Sequence, residues 1–390
     1  MRFSVKRALA SLLLGWLALA AVQALGQTPI PAPPSVGAKS YLLVDFHSDH
    51  VLVEREPDLR VEPASITKLM TSYVVFHEIA QGNLRLDEEV VISERAWRTG
   101  GSRLFVEVGH RVRVEDLLKG VIVQSGNDAS VALAEHVAGS EAVFAGMMND
   151  QARRLGMENT HYVNATGLPD PEHYTTARDI SLLARAMIAD FPDFYSWYSE
   201  REFTFNDIRQ HNRNRLLWRD PSVDGLKTGH TTSAGYCLAT SAMREGMRLI
   251  SVVMGTDSED ARVSASQSLL NYGFRFFETF QLYAAGEELG KVRVWKGRGN
   301  EARLGTDEDV FVTVPRGRQD GLAAELEVPR QPTAPLDAGA RLGKLVVTLD
   351  GEPVRRHPLV VMNDIPEAGF FGRATDGFRM WVGGWFGDDD

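Results

Sequence analysis

Pro63-Ala64-Ser65-Ile66-Thr67-Lys68-Leu69-Met70-Thr71 sets a hydroxyl and an amine three residues apart at the entrance of a predicted helix. Pro63 suits that entrance, because the N–H it lacks belongs to a turn whose donors have no intrahelical partner. Ile66, Leu69, Met70, Tyr73 and Val74 follow at helical spacing, so one side of the helix is expected to be buried. Positions i and i+3 share a helix face, which puts the Lys68 amine within reach of the Ser65 oxygen. A serine hydroxyl is a weak nucleophile unless a base adjoins it. Lys68 can be that base only when neutral, a state that burial and a nearby cation both favour. Helix-start N–H groups and the macrodipole also favour negative charge developing at Ser65. Ser-x-x-Lys taken alone reads more simply as an N-capping serine with a solvated lysine. The rest of the chain decides between them.

Arg2, Lys6 and Arg7 precede an apolar run over residues 8–22, and small residues follow at Ala24 and Gly26. Residues 1–26 therefore read as a secretory signal peptide, the run being short for a bilayer span. Pro29, Pro31, Pro33 and Pro34 then make an extended, semi-rigid leader. The 390 residues suffice for two domains with sizeable cores. The formal net charge is −10, and losing the leader's basic residues makes it more acidic still. That balance argues against a nucleic-acid partner. The single cysteine, Cys237, excludes an intrachain disulfide and reads as a small buried hydrophobe in a strand-like run. No Cys/His metal spacing appears; His47 and His50 fall in a turn, and neither metal nor cofactor is expected.

Residues 41–46 and 51–55 read as strands leading into the Ser65 helix. Further helices are predicted over 114–123, 128–137, 142–155 and 177–188. Gln124-Ser125-Gly126-Asn127, between the first two, could be an ordinary interhelical turn with Asn127 as cap. Gly225-Leu226-Lys227-Thr228-Gly229-His230-Thr231 opens an antiparallel meander continued by 236–243 and 248–254, with Glu245-Gly246 in the turn. Lys227 on its first strand, taken alone, reads more simply as a solvated edge charge. A helix over 261–280 closes the segment. Strands at both ends with helices between make residues 37–280 one α+β domain. Beyond it, 291–295, 309–314, 322–328, 344–349 and 358–362 read as strands of a small all-β sandwich domain over 281–365. Over 369–387, Phe371, Ala374, Phe378, Trp381 and Trp385 recur near helical spacing, with Arg373, Asp376 and Arg379 on other faces. This pattern predicts an amphipathic helix lying on a membrane surface, too short and charged to span it.

In order, Ser65-x-x-Lys68, Ser125-Gly126-Asn127 and Lys227-Thr228-Gly229 resemble the active-site set of the penicillin-binding proteins and serine β-lactamases. The match extends over Pro63 to Thr71, Gln124 to Ala129, Lys227 to Thr231, and Gly273-Phe274-Arg275-Phe276-Phe277-Glu278-Thr279. Across essentially the whole mature chain, the sequence is similar to the D-alanyl-D-alanine carboxypeptidases of the penicillin-binding protein 5/6 type. The resemblance implies a β-lactamase-like transpeptidase fold, with the β domain as a spacer standing the site off the membrane. It implies that Ser65 attacks the carbonyl between two terminal D-alanines of a peptidoglycan stem peptide while Lys68 takes its proton. Ser125 would relay a proton to the leaving amine, and Asn127 would bind the substrate amide. Ser125 and Asn127 would thus line the opposite wall, while Lys227, Thr228 and Gly229 would bind substrate, Lys227 helping keep Lys68 neutral and attracting the terminal carboxylate and Thr228 hydrogen-bonding it. The N–H groups of Ser65 and His230 would form the oxyanion hole, each donor typically worth about 3–4 kcal/mol. Arg213 and Arg262 match family positions near the carboxylate end. β-Lactam antibiotics would acylate Ser65 by the same route.

Two features depart from the family pattern. The middle motif is Ser-Gly-Asn where class A β-lactamases carry Ser-Asp-Asn, which favours the peptidase reading. Thr99-Gly100-Gly101-Ser102-Arg103 is shorter than the loop the family carries beside the site. The expectation is a periplasmic serine-type D-Ala-D-Ala carboxypeptidase on the outer face of the inner membrane. The alternatives are a D,D-endopeptidase or β-lactamase on the same scaffold, or a non-catalytic wall-binding protein.

Overall fold

Strands from the two ends of the first domain meet in one sheet. The computed structural model describes residues 30–383, and from Pro34 onward the described chain forms one compact unit. The hairpin β1 (Ser40–Asp45) and β2 (Val51–Arg55) joins the meander β3 (Val223–Thr231), β4 (Gly235–Arg244) and β5 (Met247–Thr256). All pairings are antiparallel and the order is β2-β1-β5-β4-β3. Glu245 and Gly246 both take positive φ, the two-residue turn whose twist matches the flanking strands.

Successive strand residues face opposite sides, so each strand feeds two cores. Leu42, Val44, Ile250 and Val252 pack under the helices α1 (Lys68–Ala80), α2 (Asn127–Ala138), α3 (Glu141–Arg154) and α4 (Ala177–Asp190). Tyr41, Leu43, Leu249 and Val253 pack on the other side against Val263, Leu269 and Leu270 of α5 (Glu259–Phe276). Burial on both faces explains why these strands read as nearly continuous apolar runs. In α1 every residue from Lys68 to Phe76 is buried, so that helix runs through the middle of its layer. The α+β architecture is therefore as the sequence predicts.

Besides several short strands and helical turns that the sequence does not show, three elements differ from expectation. The helix predicted over 261–280 ends at Phe276, and Phe277–Tyr283 is strand β6. Phe276-Phe277-Glu278-Thr279-Phe280 carries apolar residues that fit both periods, and pairing with a strand of the second domain decides the outcome. The helix over 114–123 is α-helical only to Lys119 and widens into a π-turn over Gly120–Gln124. A short strand, Glu301–Gly305, escapes the sequence because only Ala302 and Leu304 supply its apolar face.

The second domain contains β6, β7 (Glu288–Arg293), β8 (Glu301–Gly305), β9 (Val310–Pro315), β10 (Leu322–Glu327), β11 (Arg341–Leu349) and β12 (Glu352–Val361). A five-stranded sheet, β7-β8-β12-β11-β10, packs on the β6–β9 ribbon through Leu304, Val312, Val347 and Leu359. The final helix, α6 (Phe370–Gly383), leaves Phe370, Phe371, Phe378 and Trp381 exposed, while Asp376 accepts the Lys296 N–H at 2.8 Å. No helix among the described residues is long and apolar enough to cross a membrane. The predicted signal segment 1–26, Trp385 and the rest of 384–387 lie outside the described residues.

A polar knot joins the domains. The buried Asp45 carboxylate accepts the Ser48 N–H and hydroxyl at 2.8 and 2.9 Å and the Thr279 hydroxyl at 2.7 Å. Thr313 lies 2.6 Å from Ser48 and 2.8 Å from Thr279. Replacing Asp45 by alanine strands several buried donors, each costing about 1–3 kcal/mol. Asp45→Ala is expected to lower the unfolding free energy by about 3 kcal/mol in urea melts, and an unchanged midpoint would contradict this account of the knot.

Candidate active site

Ser65 lies in a 3-10 turn, Ala64–Thr67, directly before α1. Ala64 has φ +47°, a left-handed conformation that a non-glycine residue adopts only under constraint from its surroundings. The constraint is visible at two close approaches. Gly167 faces the Ala64 carbonyl, which would stand 1.8 Å from a side chain there. Gly229 on β3 faces the Pro63 carbonyl, which would stand 2.9 Å away. Only a glycine lets each backbone come so near.

The i, i+3 contact is made: Lys68 Nζ lies 3.1 Å from Ser65 Oγ. The amine also donates to Asn127 Oδ1 at 2.7 Å and to the Thr166 carbonyl at 2.6 Å. Burial pushes its pKa down to about 7, against a raising influence from Asp128. A neutral amine has two N–H groups and one lone pair. Two carbonyl oxygens take the first, leaving the lone pair for the Ser65 hydroxyl.

The middle motif forms the facing wall. Ser125 adopts a left-handed conformation, φ +68° and ψ +36°, at the end of the π-turn. Its hydroxyl is buried and has no hydrogen-bond partner among the described residues. Gly126, not Asn127, is the N-cap of α2, so the capping reading of Asn127 fails. The Asn127 amide is instead spent on the site, accepting from Lys68 and donating to the Gly100 carbonyl at 2.6 Å.

Lys227 lies on an edge strand, as predicted, yet is only 2 % exposed. The Ser65 turn covers the edge there, so the solvated-charge reading fails too. Burial, then Lys68, Arg213 and Arg262, drive the Lys227 pKa well below the usual lysine value. Among the described residues its one hydrogen bond, to the Thr228 carbonyl, is long at 3.5 Å.

Ser65, Ser125, Arg213, Thr228, His230 and Arg262 are among the residues lining one cavity of about 230 Å³. Both arginines thus reach the site, by different routes. Arg213 is exposed, between buried Asn212 and Asn214, and the Asn214 amide donates to the Gly225 carbonyl of β3 at 3.0 Å. Arg262 is buried, donating to the Gly229 carbonyl at 3.1 Å and pairing with Glu259 at 3.0 Å. A roomier cavity of about 640 Å³ lies at the domain junction between Arg244, Arg275 and Arg316, but it gathers no nucleophile and base.

The supporting residues are what the sequence reading missed. The buried Asp128 carboxylate accepts the Leu104 and Phe105 N–H groups at 2.8 and 2.9 Å, tying the short 99–105 loop to α2. Thr166 presents its carbonyl from a loop held by Asn164, whose Oδ1 accepts the Thr166 and Gly167 N–H groups at 3.1 and 2.7 Å. His173 lies under that loop: its Nδ1 accepts the Val163 N–H, so its Nε2–H donates to Thr67 at 2.8 Å.

These three walls belong to a serine acyl-transfer enzyme of the penicillin-binding fold. Residues 27–258 match the family described as D-alanyl-D-alanine carboxypeptidase, Peptidase S11, and residues 277–367 match the penicillin-binding protein 5 C-terminal domain. The chain belongs to the D-alanyl-D-alanine carboxypeptidase family. It is 44% identical over 369 residues to the D-alanyl-D-alanine carboxypeptidase DacA of Escherichia coli strain K12, covering 93% of this chain and 92% of that protein. Penicillin-binding protein 5 from Haemophilus influenzae matches at TM-score 0.84 and 44% identity, over 86% of this chain and all of that one. Penicillin-binding protein D2 from Listeria monocytogenes, solved in its ampicillin-bound form, matches at TM-score 0.58 and 29% identity, over 63% of this chain and all of that one.

Burial holds the His173 pKa down at about 4, so this imidazole stays neutral where an unfolded histidine takes up a proton. Stability is then complete above about pH 6.5 and falls as the pH drops toward 4, by about 3 kcal/mol for this group. Denaturant melts across that window are expected to show the decline, and His173→Gln to flatten it. An equally steep decline in the variant assigns the acid sensitivity elsewhere.

Proposed function

We propose that this chain removes the terminal D-alanine of peptidoglycan stem pentapeptides through an acyl-enzyme on Ser65. The observation that carries the reading is the Lys68 amine, buried, bonded to two carbonyls and 3.1 Å from Ser65 Oγ. Ser65 Oγ attacks the carbonyl carbon of the penultimate D-alanine and passes its proton to Lys68 Nζ. The N–H groups of Ser65 and His230 hold the oxyanion. The C–N bond then breaks, and the Ser125 hydroxyl, otherwise without a partner, relays a proton to the departing amine. Hydrolysis of the ester returns Ser65 and Lys68 to their starting states. Asn127 receives the substrate amide. Lys227, Thr228 and the two arginines receive the terminal carboxylate, on the strand that Gly229 brings against the Ser65 turn.

Two coupled ammonium groups explain the division of labour. Substrate brings its carboxylate to Lys227, which favours a proton there, and a charged Lys227 disfavours one on Lys68. Binding therefore leaves the base neutral where it is needed. β-Lactams carry a carboxylate and an acyl group in the same relation, and a penicillin acylates Ser65 by the same steps. Residues 1–26 act as an export leader and 369–387 as an interfacial helix, placing the enzyme in the periplasm on the inner membrane's outer face. The exposed aromatics of α6 support that attachment.

Incubation with a stem pentapeptide should release free D-alanine. Cleavage confined to crosslinked dimers indicates an endopeptidase, and rapid penicillin hydrolysis a β-lactamase. A fluorescent penicillin should label the chain and leave Ser65→Ala unlabelled. No adduct on the parent chain points to a non-catalytic wall-binding protein.

Acylation should rise with pH around about 7, because below that midpoint Lys68 holds a proton and offers no lone pair. Lys68→Ala should slow acylation by roughly 10²–10⁴-fold in stopped-flow labelling and abolish the ascending limb. A limb that survives the substitution belongs to another group.

A further inference from the structure

Thr67 is the N-cap of α1, yet among the described residues its side chain accepts from no N–H of that helix's first turn. A threonine in this position ordinarily spends its hydroxyl on such a donor. Here the buried hydroxyl accepts instead from His173 Nε2, at 2.8 Å. The other ring nitrogen, Nδ1, accepts the Val163 N–H at 3.2 Å. One imidazole therefore joins the last residue of the Ser65 turn to the start of the loop that gives Lys68 its Thr166 carbonyl. Apart from Lys68 itself, no other side chain among the described residues hydrogen-bonds both segments.

The imidazole is itself held in place. It is buried, its backbone N–H donates to the Asp170 carbonyl at 3.0 Å, and the Tyr162 ring meets it edge-on with centroids 5.5 Å apart. The residues that follow it are paired too: Tyr174 bridges to His161, and Thr175 to Val61, just ahead of the Ser65 turn. Asp170, His161 and Lys68 are the titratable groups around the ring, and burial keeps it neutral, as Nδ1 must be in order to accept. A rigid ring thus fixes a turn that is strained at Ala64 and has reason to relax. Released from His173, the turn could shift and carry Ser65 Oγ away from its place 3.1 Å from Lys68 Nζ. The carboxylate-binding groups on β3 have no hydrogen bond to the ring and would stay where they are.

We propose that His173 is a positioning residue for acyl transfer: by tying Thr67 to the Val163–Thr166 loop, it fixes the Ser65 hydroxyl against the Lys68 amine. The proposal rests on the reading of Ser65 and Lys68 as nucleophile and base. It places the effect of His173 on the chemical step and not on capture of the carboxylate.

Stopped-flow labelling of the full chain with a fluorescent penicillin separates the acylation rate constant from the dissociation constant of the complex that precedes it. His173→Ala is expected to slow acylation by roughly 10–100-fold, the scale set by reacting groups misplaced by up to about 1 Å. The dissociation constant should not change. His173→Gln, whose amide both donates and accepts, should recover most of the rate. Thr67→Val leaves the ring in place but removes its partner, so it should show the same loss, and the double variant no more than either single one. An unchanged rate in the single variants, a loss confined to the dissociation constant, a glutamine variant as slow as the alanine one, or losses that multiply in the double variant each overturn the positioning role and leave the acyl-enzyme reading intact. Should His173→Ala fail to fold, Thr67→Val decides by its rate and dissociation constant. No adduct on the parent chain overturns both.

Discussion

Two lysine side chains are buried in one seam, between the edge of a sheet and the helix that runs beneath it. An isolated buried ammonium is so unfavourable that it gives up its proton instead, and two that face each other cannot both keep theirs. Much of the local structure follows from that constraint. Among the described residues Lys68 is supplied with two carbonyl acceptors and no carboxylate contact, which suits an amine and not an ammonium. Asp128, the nearby acid that would restore its charge, is occupied by the backbone N–H groups of Leu104 and Phe105. Lys227 is left with a single long hydrogen bond and two arginines nearby, a concentration of positive potential that an incoming carboxylate would relieve.

Holding the seam closed needs backbones nearer than side chains normally allow. Gly229 lets β3 lie against the Ser65 turn, and Gly167 lets the Thr166 loop meet the same turn from the other side. Ala64, caught between them, takes a left-handed conformation. The cost of order 1–3 kcal/mol for such a residue is offset by the packing of α1, buried from Lys68 to Phe76. Strain is thus placed next to Ser65 and held there by a helix buried along most of its length.

The fold and the three motifs were largely legible in the sequence, because each depends on residue identity at fixed spacing. Ser65 and Lys68 meet as helical geometry requires, and the meander after Gly225 follows from period-two apolarity and the Glu245-Gly246 turn. The alternatives at Asn127 and Lys227 turned on tertiary neighbours that no local pattern records: Gly126 takes the cap, and the Ser65 turn covers the sheet edge. The end of α5 was misread because a phenylalanine-rich run satisfies either period until β9 pairs with it. The hidden supports were illegible for a different reason. Thr166 and Gly100 act through carbonyl oxygens, which every residue has, so their identity carries no signal. Asp128 stood beside the middle motif, but only the folded 99–105 loop reveals what its carboxylate accepts.

The same distinction separates what the molecule fixes from what it leaves adjustable. The Lys68 amine is buried, bonded to Asn127 and the Thr166 carbonyl, and anchored on α1. Groups that would meet the distant parts of a ligand or a surface are exposed: Arg213 between two pinned asparagines and the aromatics of α6. A buried amine with fixed partners has little freedom to move without losing its lone-pair geometry. An exposed guanidinium in a surface pair loses little by changing partner. The exposed end of the site can therefore change its partners at little cost, while the Lys68 amine keeps the contacts that Asn127 and the Thr166 loop give it.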